Sequence, residues 1–272
     1  MEIRIIDAEA PRWSLGLGEV WHRRELLRLL IVRAISTRYQ QMVLGFFWSV
    51  LEPLALLTMM TFVFGFVLRA PSNGLPYPVF VFSALLPWLL FSRATMAASG
   101  SLQEHMGLIS KVYFPRLILP LSSTARELFD SLVMTACLLL LAAAFGYWPT
   151  WRVLLLPVLI SYVAILSLGL GLWTASILVK FRDIRPLLSI ALQFGMYASP
   201  IIYSASAVPQ SWLFYYQLNP MYWPIELSRW IFMGQAVELT PAFYISAAFG
   251  LCLFTSGVFV FSIYEKLTVD VQ

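Results

Sequence analysis

The chain alternates between long apolar runs and short polar connections. Runs lie at about 43–68, 77–98, within 117–147, at 153–179 and at 241–264, each close to the roughly twenty residues that a helix needs to cross a bilayer. A sixth run, 186–203, is eighteen residues long and only just sufficient. The stretch after it, 204–240, is rich in aromatics and prolines, too apolar for a free loop and too broken for a clean span. A re-entrant hairpin dipping into the outer leaflet satisfies both facts, since irregular backbone is tolerated at membrane depth when buried in protein or lining a wet cavity. A loop lying flat in the aromatic-rich interface is the competing reading. From Trp21 to Tyr39, leucines three and four apart face arginines, which predicts an amphipathic helix in the membrane interface. The pattern therefore predicts an all-α integral membrane protein. It has six transmembrane helices, an N-terminal amphipathic interfacial helix, and a re-entrant extracellular hairpin between the last two spans.

Composition agrees. The 272 residues are 60% apolar and 12% charged, against roughly 45–50% and about 25% in soluble domains. The mean hydropathy of +0.79 leaves too little polar surface to cover a water-facing globule. No boundary or repeat divides the chain. It reads as one transmembrane domain: a cytoplasmic and interfacial segment 1–42, a six-span core 43–264 with the outer hairpin 204–240, and a tail 265–272. The N-terminus lacks the short apolar core and cleavage site of a signal peptide.

Charge sets the orientation. With the N-terminus inside, thirteen Lys and Arg residues fall on the cytoplasmic side and three, Arg69, Arg152 and Arg229, fall outside. Both termini are therefore expected in the cytoplasm. Arg93 and Arg126 lie within spans. Arg126, Glu127 and Asp130 occupy the cytoplasmic third of the third span, where an unpaired charge costs about 2.5–3.5 kcal/mol on insertion scales. Helical spacing pairs Arg126 with Asp130, and Arg93 is the expected partner of Glu127.

Several chemistries are missing. No lysine follows a glycine, so there is no phosphate loop of the GxxxxGK[ST] type. HExxH and GxSxG are absent. Cys137 and Cys252 sit in apolar runs and read as packing residues. His22 and His105 are far apart, and no metal site is expected. If the chain moves a substrate uphill, the energy is expected from another subunit. No catalytic residue is assigned and no nucleic-acid partner is expected. A membrane-embedded glycosyl or acyl transferase is the rival from another class.

Five motifs occur in order. Thr37-Arg-Tyr-Gln-Gln-Met-Val-Leu-Gly45-Phe-Phe-Trp48-Ser-Val-Leu-Glu-Pro53 opens the series, followed by Lys111-Val-Tyr-Phe-Pro-Arg116-Leu-Ile-Leu-Pro120 and Phe181-Arg-Asp183-Ile-Arg185. Ser199-Pro200-Ile-Ile-Tyr203 comes next, and Val208-Pro209 with Leu218-Asn219-Pro220 completes it. Together they resemble the permease subunits of polysaccharide ABC exporters, closest to the O-antigen and teichoic-acid branch. The resemblance implies a six-span permease acting as a homodimer with two copies of a separate ATPase subunit, which would hold the ATP and magnesium. This chain itself needs no cofactor. The implied substrate is an undecaprenyl-diphosphate-linked polysaccharide. Capsule, teichoic acid, drug or lipid export are the alternatives within the class.

Candidate residues follow. The connection 99–115 sets Leu102, Met106 and Ile109 against Gln103, Glu104, His105 and Lys111, and the resemblance implies a short helix here that docks on the ATPase; Leu102 to Met106 are its candidates. Phe46, Phe47, Trp48, Trp88, Phe91, Tyr197 and Tyr203 are candidate linings of a glycan channel and lateral gate between spans one and five, because sugar CH faces pack on aromatic rings. A lipid-facing or interfacial aromatic belt would use the same residues. Arg33, Arg38, Arg182 and Arg185 stand at the inner headgroup level and could bind a diphosphate bidentately, or serve simply as positive-inside anchors. Pro53 is expected to kink the first span.

Overall fold

The computed structural model of the chain describes residues 17–39 and 45–269. The start of the first apolar run and the end of the tail lie outside these residues. Among them are eleven α-helices and no strand. The fold is that of an all-α integral membrane protein.

The interfacial helix forms in two pieces, α1 (Leu17–His22) and α2 (Arg24–Tyr39). The inward face of α2 buries Leu30 against Phe114 and Leu117–Leu119, at the start of a long helix further on. Its other face leaves Leu29 and Val32 exposed.

The first span is α3 (Trp48–Met60), continued by widened π-helical turns over Thr61–Val67. Pro53 sits in the second turn of α3 and the α-helix runs on past it; the irregular stretch lies later. There Leu68 N–H bonds to the Val63 carbonyl at 2.9 Å, five residues back. The widening coincides with Gly65, where a Cβ would come within 2.6 Å of the Tyr77 ring.

The second span, α4 (Tyr77–Glu104), is the centre of the bundle. Every residue from Val79 to Phe91 is buried, and a helix apolar all round must be enclosed on all sides. Pro87 removes the helical donor to the Ser83 carbonyl. Ser228, from a helix near the C-terminus, donates to that carbonyl at 2.6 Å instead. After one turn, α5 (Met106–Ile109), come α6 (Ile118–Ala144) and α7 (Leu156–Leu178), the latter entered through a 3-10 turn Trp151–Leu155. The last span is α11 (Pro241–Val269). Within it and its predecessors, five helical stretches are long and apolar enough to cross a membrane: Trp48–Val67, Tyr77–Glu104, Ile118–Ala144, Trp151–Leu178 and Pro241–Tyr264.

The sixth apolar run differs from expectation. It forms α8 (Ile184–Tyr197), fourteen residues, or roughly 21 Å at about 1.5 Å per residue, short of a bilayer core of about 30 Å. Ser199–Tyr203 turns out of the helix, and α9 (Gln210–Gln217) and α10 (Tyr222–Met233) follow. The three prolines of this stretch stand at helix starts: Pro209 caps α9, Pro220 separates the two helices, and Pro224 lies in the first turn of α10. Gly234 ends α10 in the left-handed conformation that this helix end requires. α10 packs against both α4 and α7 and is largely buried.

α7 and α11 meet at glycines. A Cβ on Gly169 would come within 2.8 Å of the Phe254 Cα, and one on Gly257 within 2.6 Å of the Gly169 carbonyl oxygen. Such close backbone approach is how membrane helices gain packing without a hydrophobic drive. Trp173 Nε1 donates to Ser256 Oγ at 3.0 Å across the same seam. Gly169→Leu should therefore force the helices apart at an overpacking cost of about 1–3 kcal/mol. Thermal unfolding in detergent would show it as a lowered midpoint. Gly18→Ala, where nothing lies within 4 Å of the added carbon, should leave the midpoint unchanged.

Candidate functional site

The charged residues of α2, α3, α4, α6 and α8 converge. A cavity of about 310 Å³ is lined by Arg38, Glu52, Arg93, Glu104, Arg126, Glu127 and Arg185. Arg38 reaches from the end of α2 to α6, where its Nη1 lies 2.9 Å from Glu127 and 3.1 Å from Asp130. Arg126 bonds Glu127 through both Nε and Nη2, at 3.0 and 2.9 Å. The expected pairing of Arg126 with Asp130 is thus replaced by Arg126 with Glu127, and Asp130 is met by Arg38. Arg93, expected beside Glu127, instead pairs with Glu52 of α3 at 2.9 Å. Arg185 pairs with Glu104 at 3.3 Å, joining α8 to the end of α4.

This geometry changes the role of the candidate anion-binding arginines. Arg38 is turned inward onto two buried carboxylates, and Arg185 is held by Glu104. Four arginines in the chamber face three lining carboxylates and Asp130. Arg33 lines a neighbouring cavity of about 330 Å³ with Leu30, Thr37, Glu104, His105 and Leu108, between α2 and α5. Arg182 is exposed on the turn before α8 and lines neither cavity.

The candidate coupling residues lie between the two cavities. α4 runs on through Leu102, Gln103 and Glu104, beyond the predicted end of the second span. Leu102, Leu108 and Ile109 pack into the chain's own core below α2 and α6. Gln103 Nε2 donates to the Leu178 carbonyl at 3.4 Å, and His105 Nδ1 lies 2.9 Å from the Ser101 carbonyl. Met106, Val112 and Tyr113 are the exposed apolar residues, Met106 at 59%.

The candidate aromatics divide. Phe47, Trp48 and Tyr197 are exposed on α8 and at the start of α3. Trp88 and Phe91 are core residues, only 4% and 6% exposed, with ring centroids 5.7 Å apart. The Trp88 ring lies against Gly195 of α8 and lines an open cavity of about 300 Å³ between α4 and α8, together with Ser92, Arg93, Leu192 and Met196, whereas Phe91 does not line it. Tyr203 accepts a hydrogen bond from Tyr216 at 3.0 Å and donates to the Tyr197 carbonyl at 3.2 Å. Burial and that bond to Tyr203 push the Tyr216 hydroxyl well above its ordinary pKa, so it remains neutral. The side chain of Phe46 lies outside the described residues. α3 and α8 both pack on α4, which leaves the charged chamber between them.

One pair was not foreseen. Arg229, counted above among the outer charges, is fully buried on α10. It donates to Glu226 at 2.7 Å and to the Ile201 carbonyl at 3.2 Å, and its guanidinium lies 3.7 Å from the Phe80 ring centroid of α4. The signal was present as Glu226 and Arg229 at i, i+3 inside an aromatic run.

Comparison with known proteins gives the wider frame. The chain is 33% identical over 190 residues to the O-antigen export system permease protein RfbA of Myxococcus xanthus, covering 70% of this chain and 72% of that protein. It is 27% identical over 251 residues to the RfbA permease of Klebsiella pneumoniae, covering 89% and 92%. It is 29% identical over 205 residues to the polysialic acid transport protein KpsM of Escherichia coli, covering 74% and 78%. The family model for the ABC-2 type transporter matches residues 25–233, from α2 through α10, and the chain belongs to that family.

Proposed function

We propose that this chain is the membrane subunit of an ATP-driven exporter that moves an undecaprenyl-diphosphate-linked polysaccharide of the O-antigen type to the outer side of the inner membrane. The observation that carries the reading is the likeness to an O-antigen permease along 89% of the chain. Export of a capsule-type polymer is the second reading, favoured by the likeness to KpsM. The subunit works as a homodimer with two copies of a separate ATPase, and both termini face the cytoplasm.

The geometry supports a division of labour. In this reading the chamber under α4, between α3 and α8, is the side entry for the lipid-linked substrate. Its pairs Arg93–Glu52 and Arg185–Glu104 are partly exposed, and ion pairs of that kind contribute only about 0–1 kcal/mol, so a phosphate can replace the carboxylate on either arginine at small cost. The exposed Phe47, Trp48 and Tyr197 then offer faces to passing sugar rings. The α5 turn presents Met106 to the ATPase, while its buried neighbours Leu102 and Leu108 carry the push into the bundle.

Two outcomes test this. The purified chain alone should hydrolyse no ATP, and hydrolysis should appear when the ATPase subunit is co-expressed; turnover by the chain alone would refute the assignment. Met106→Glu should abolish co-purification of the ATPase and export, while membrane insertion is kept. Leu102→Glu, which places a charge in the chain's own core, should lower stability as well. Full recovery of the ATPase with Met106→Glu, together with normal export, would remove α5 from the interface.

A further inference from the structure

On a different flank from the charged chamber, a cavity of about 270 Å³ lies between the start of α7, one face of α10 and the start of α11. Val158 and Tyr162 of α7, Leu227 and Trp230 of α10, and Phe243 and Ser246 of α11 line it. Val158 is well exposed, so the cavity opens on the side of the bundle that meets hydrocarbon in a bilayer. An apolar recess of this kind does not hold water. What can enter from that side is lipid.

Two polar groups mark the recess as more than a packing defect. Ser246 is 1% exposed; its Oγ lines the cavity beside the Tyr162 hydroxyl and makes no hydrogen bond of good geometry. A buried hydroxyl without a partner costs free energy that a ligand acceptor would recover. The second group is Arg152, on the turn that leads into α7. Its guanidinium lies 5.1 Å over the Trp230 ring, and Trp151 meets the same ring edge-on at 6.2 Å. Arg38, Arg93, Arg126, Arg185 and Arg229 each have a carboxylate; Arg152 has none within ion-pair distance among the described residues, and its Nε makes no hydrogen bond. An unneutralised arginine flanked by tryptophans at the end of a span is placed at headgroup depth.

We propose that this groove binds one anionic glycerophospholipid of the surrounding bilayer. Its phosphate sits on Arg152, one acyl chain lies between α7, α10 and α11, and an ester carbonyl accepts the Ser246 hydroxyl. Ser246 is five residues into α11, about 7.5 Å along the helix, a depth suited to the ester level below a phosphate. A polyprenyl chain carries no ester for Ser246. The site lies apart from the charged chamber and does not depend on which glycan is exported.

The test is native mass spectrometry of the full-length protein released from bilayers of phosphatidylethanolamine and phosphatidylglycerol. The wild type should retain one phosphatidylglycerol per chain. Arg152→Gln should weaken retention roughly tenfold, the scale of one charge-assisted contact. Ala247→Phe, which fills the cavity, should abolish it, and Ser246→Val should weaken it with little disturbance of packing. Gel filtration and the thermal midpoint would confirm that each variant is folded; were Ala247→Phe to unfold, the two milder variants decide. Equal retention by the wild type and by every folded variant would overturn the proposal. So would retention of added undecaprenyl phosphate in place of phosphatidylglycerol with the same dependence on the variants, since the groove would then belong to the substrate's lipid.

Discussion

A charge buried in a chain this apolar has to find its counter-charge inside the chain, and the bundle is arranged around two such meetings. Removing one partner of a buried pair costs about 3–5 kcal/mol, comparable with much of a domain's net stability. Arg38 joins α2 to the buried Glu127 and Asp130 of α6, and the buried Arg229–Glu226 pair of α10 sits over Phe80 of α4; Arg93 of α4 adds a weaker, half-exposed tie to Glu52 of α3. Dispersion alone would let apolar helices slide over one another. The pairs fix their register, so the interfacial helix, the first span and α10 each take one position against the central pair α4 and α6.

The central helix explains why some candidate residues fell where they did. Trp88 and Phe91 look in sequence like members of an aromatic belt or a channel wall. A helix enclosed on all sides shows no periodicity that separates an inward face from an outward one, so its burial could not be read from spacing. The five long spans were legible because length and hydropathy suffice for that. The shortness of α8 was legible in the eighteen-residue run and became more pronounced once Ser199–Tyr203 left the helix. Partners such as Arg38 with Glu127, 89 positions apart, leave no local pattern at all. For Arg126 and Asp130 the helical rule pointed to a local pair, and a long-range arginine took the second carboxylate instead.

The segment 204–240 also shows how sequence and packing divide the work. Its prolines are breakers in the one-dimensional pattern and helix starters in the structure, so a broken run still yields two helices. Asn73 ties the adjoining 198–207 turn to the loop before α4, donating to Ser204 Oγ at 2.7 Å and accepting from Ser206 Oγ at 3.0 Å. Tyr77 donates to the Ile202 carbonyl at 2.8 Å beside it. The aromatic residues that remain outward, Trp212, Phe214 and Tyr215, are on α9.

The two ends of α4 therefore differ in what motion would cost. Swinging α10 away would strip Arg229 of Glu226, the Ile201 carbonyl and the Phe80 ring, and would leave the Ser83 carbonyl, already without a helical donor because of Pro87, with no bond from Ser228. Those groups are buried and would lose their partners without water to replace them. At the other end, Arg93–Glu52 and Arg185–Glu104 have carboxylates that are 60% and 43% exposed, so water or a competing anion can take over as the pair opens. A rearrangement that separates α3 from α8 costs least at that chamber. Any opening at the opposite end must displace α9 and its exposed aromatics while α10 stays seated on α4.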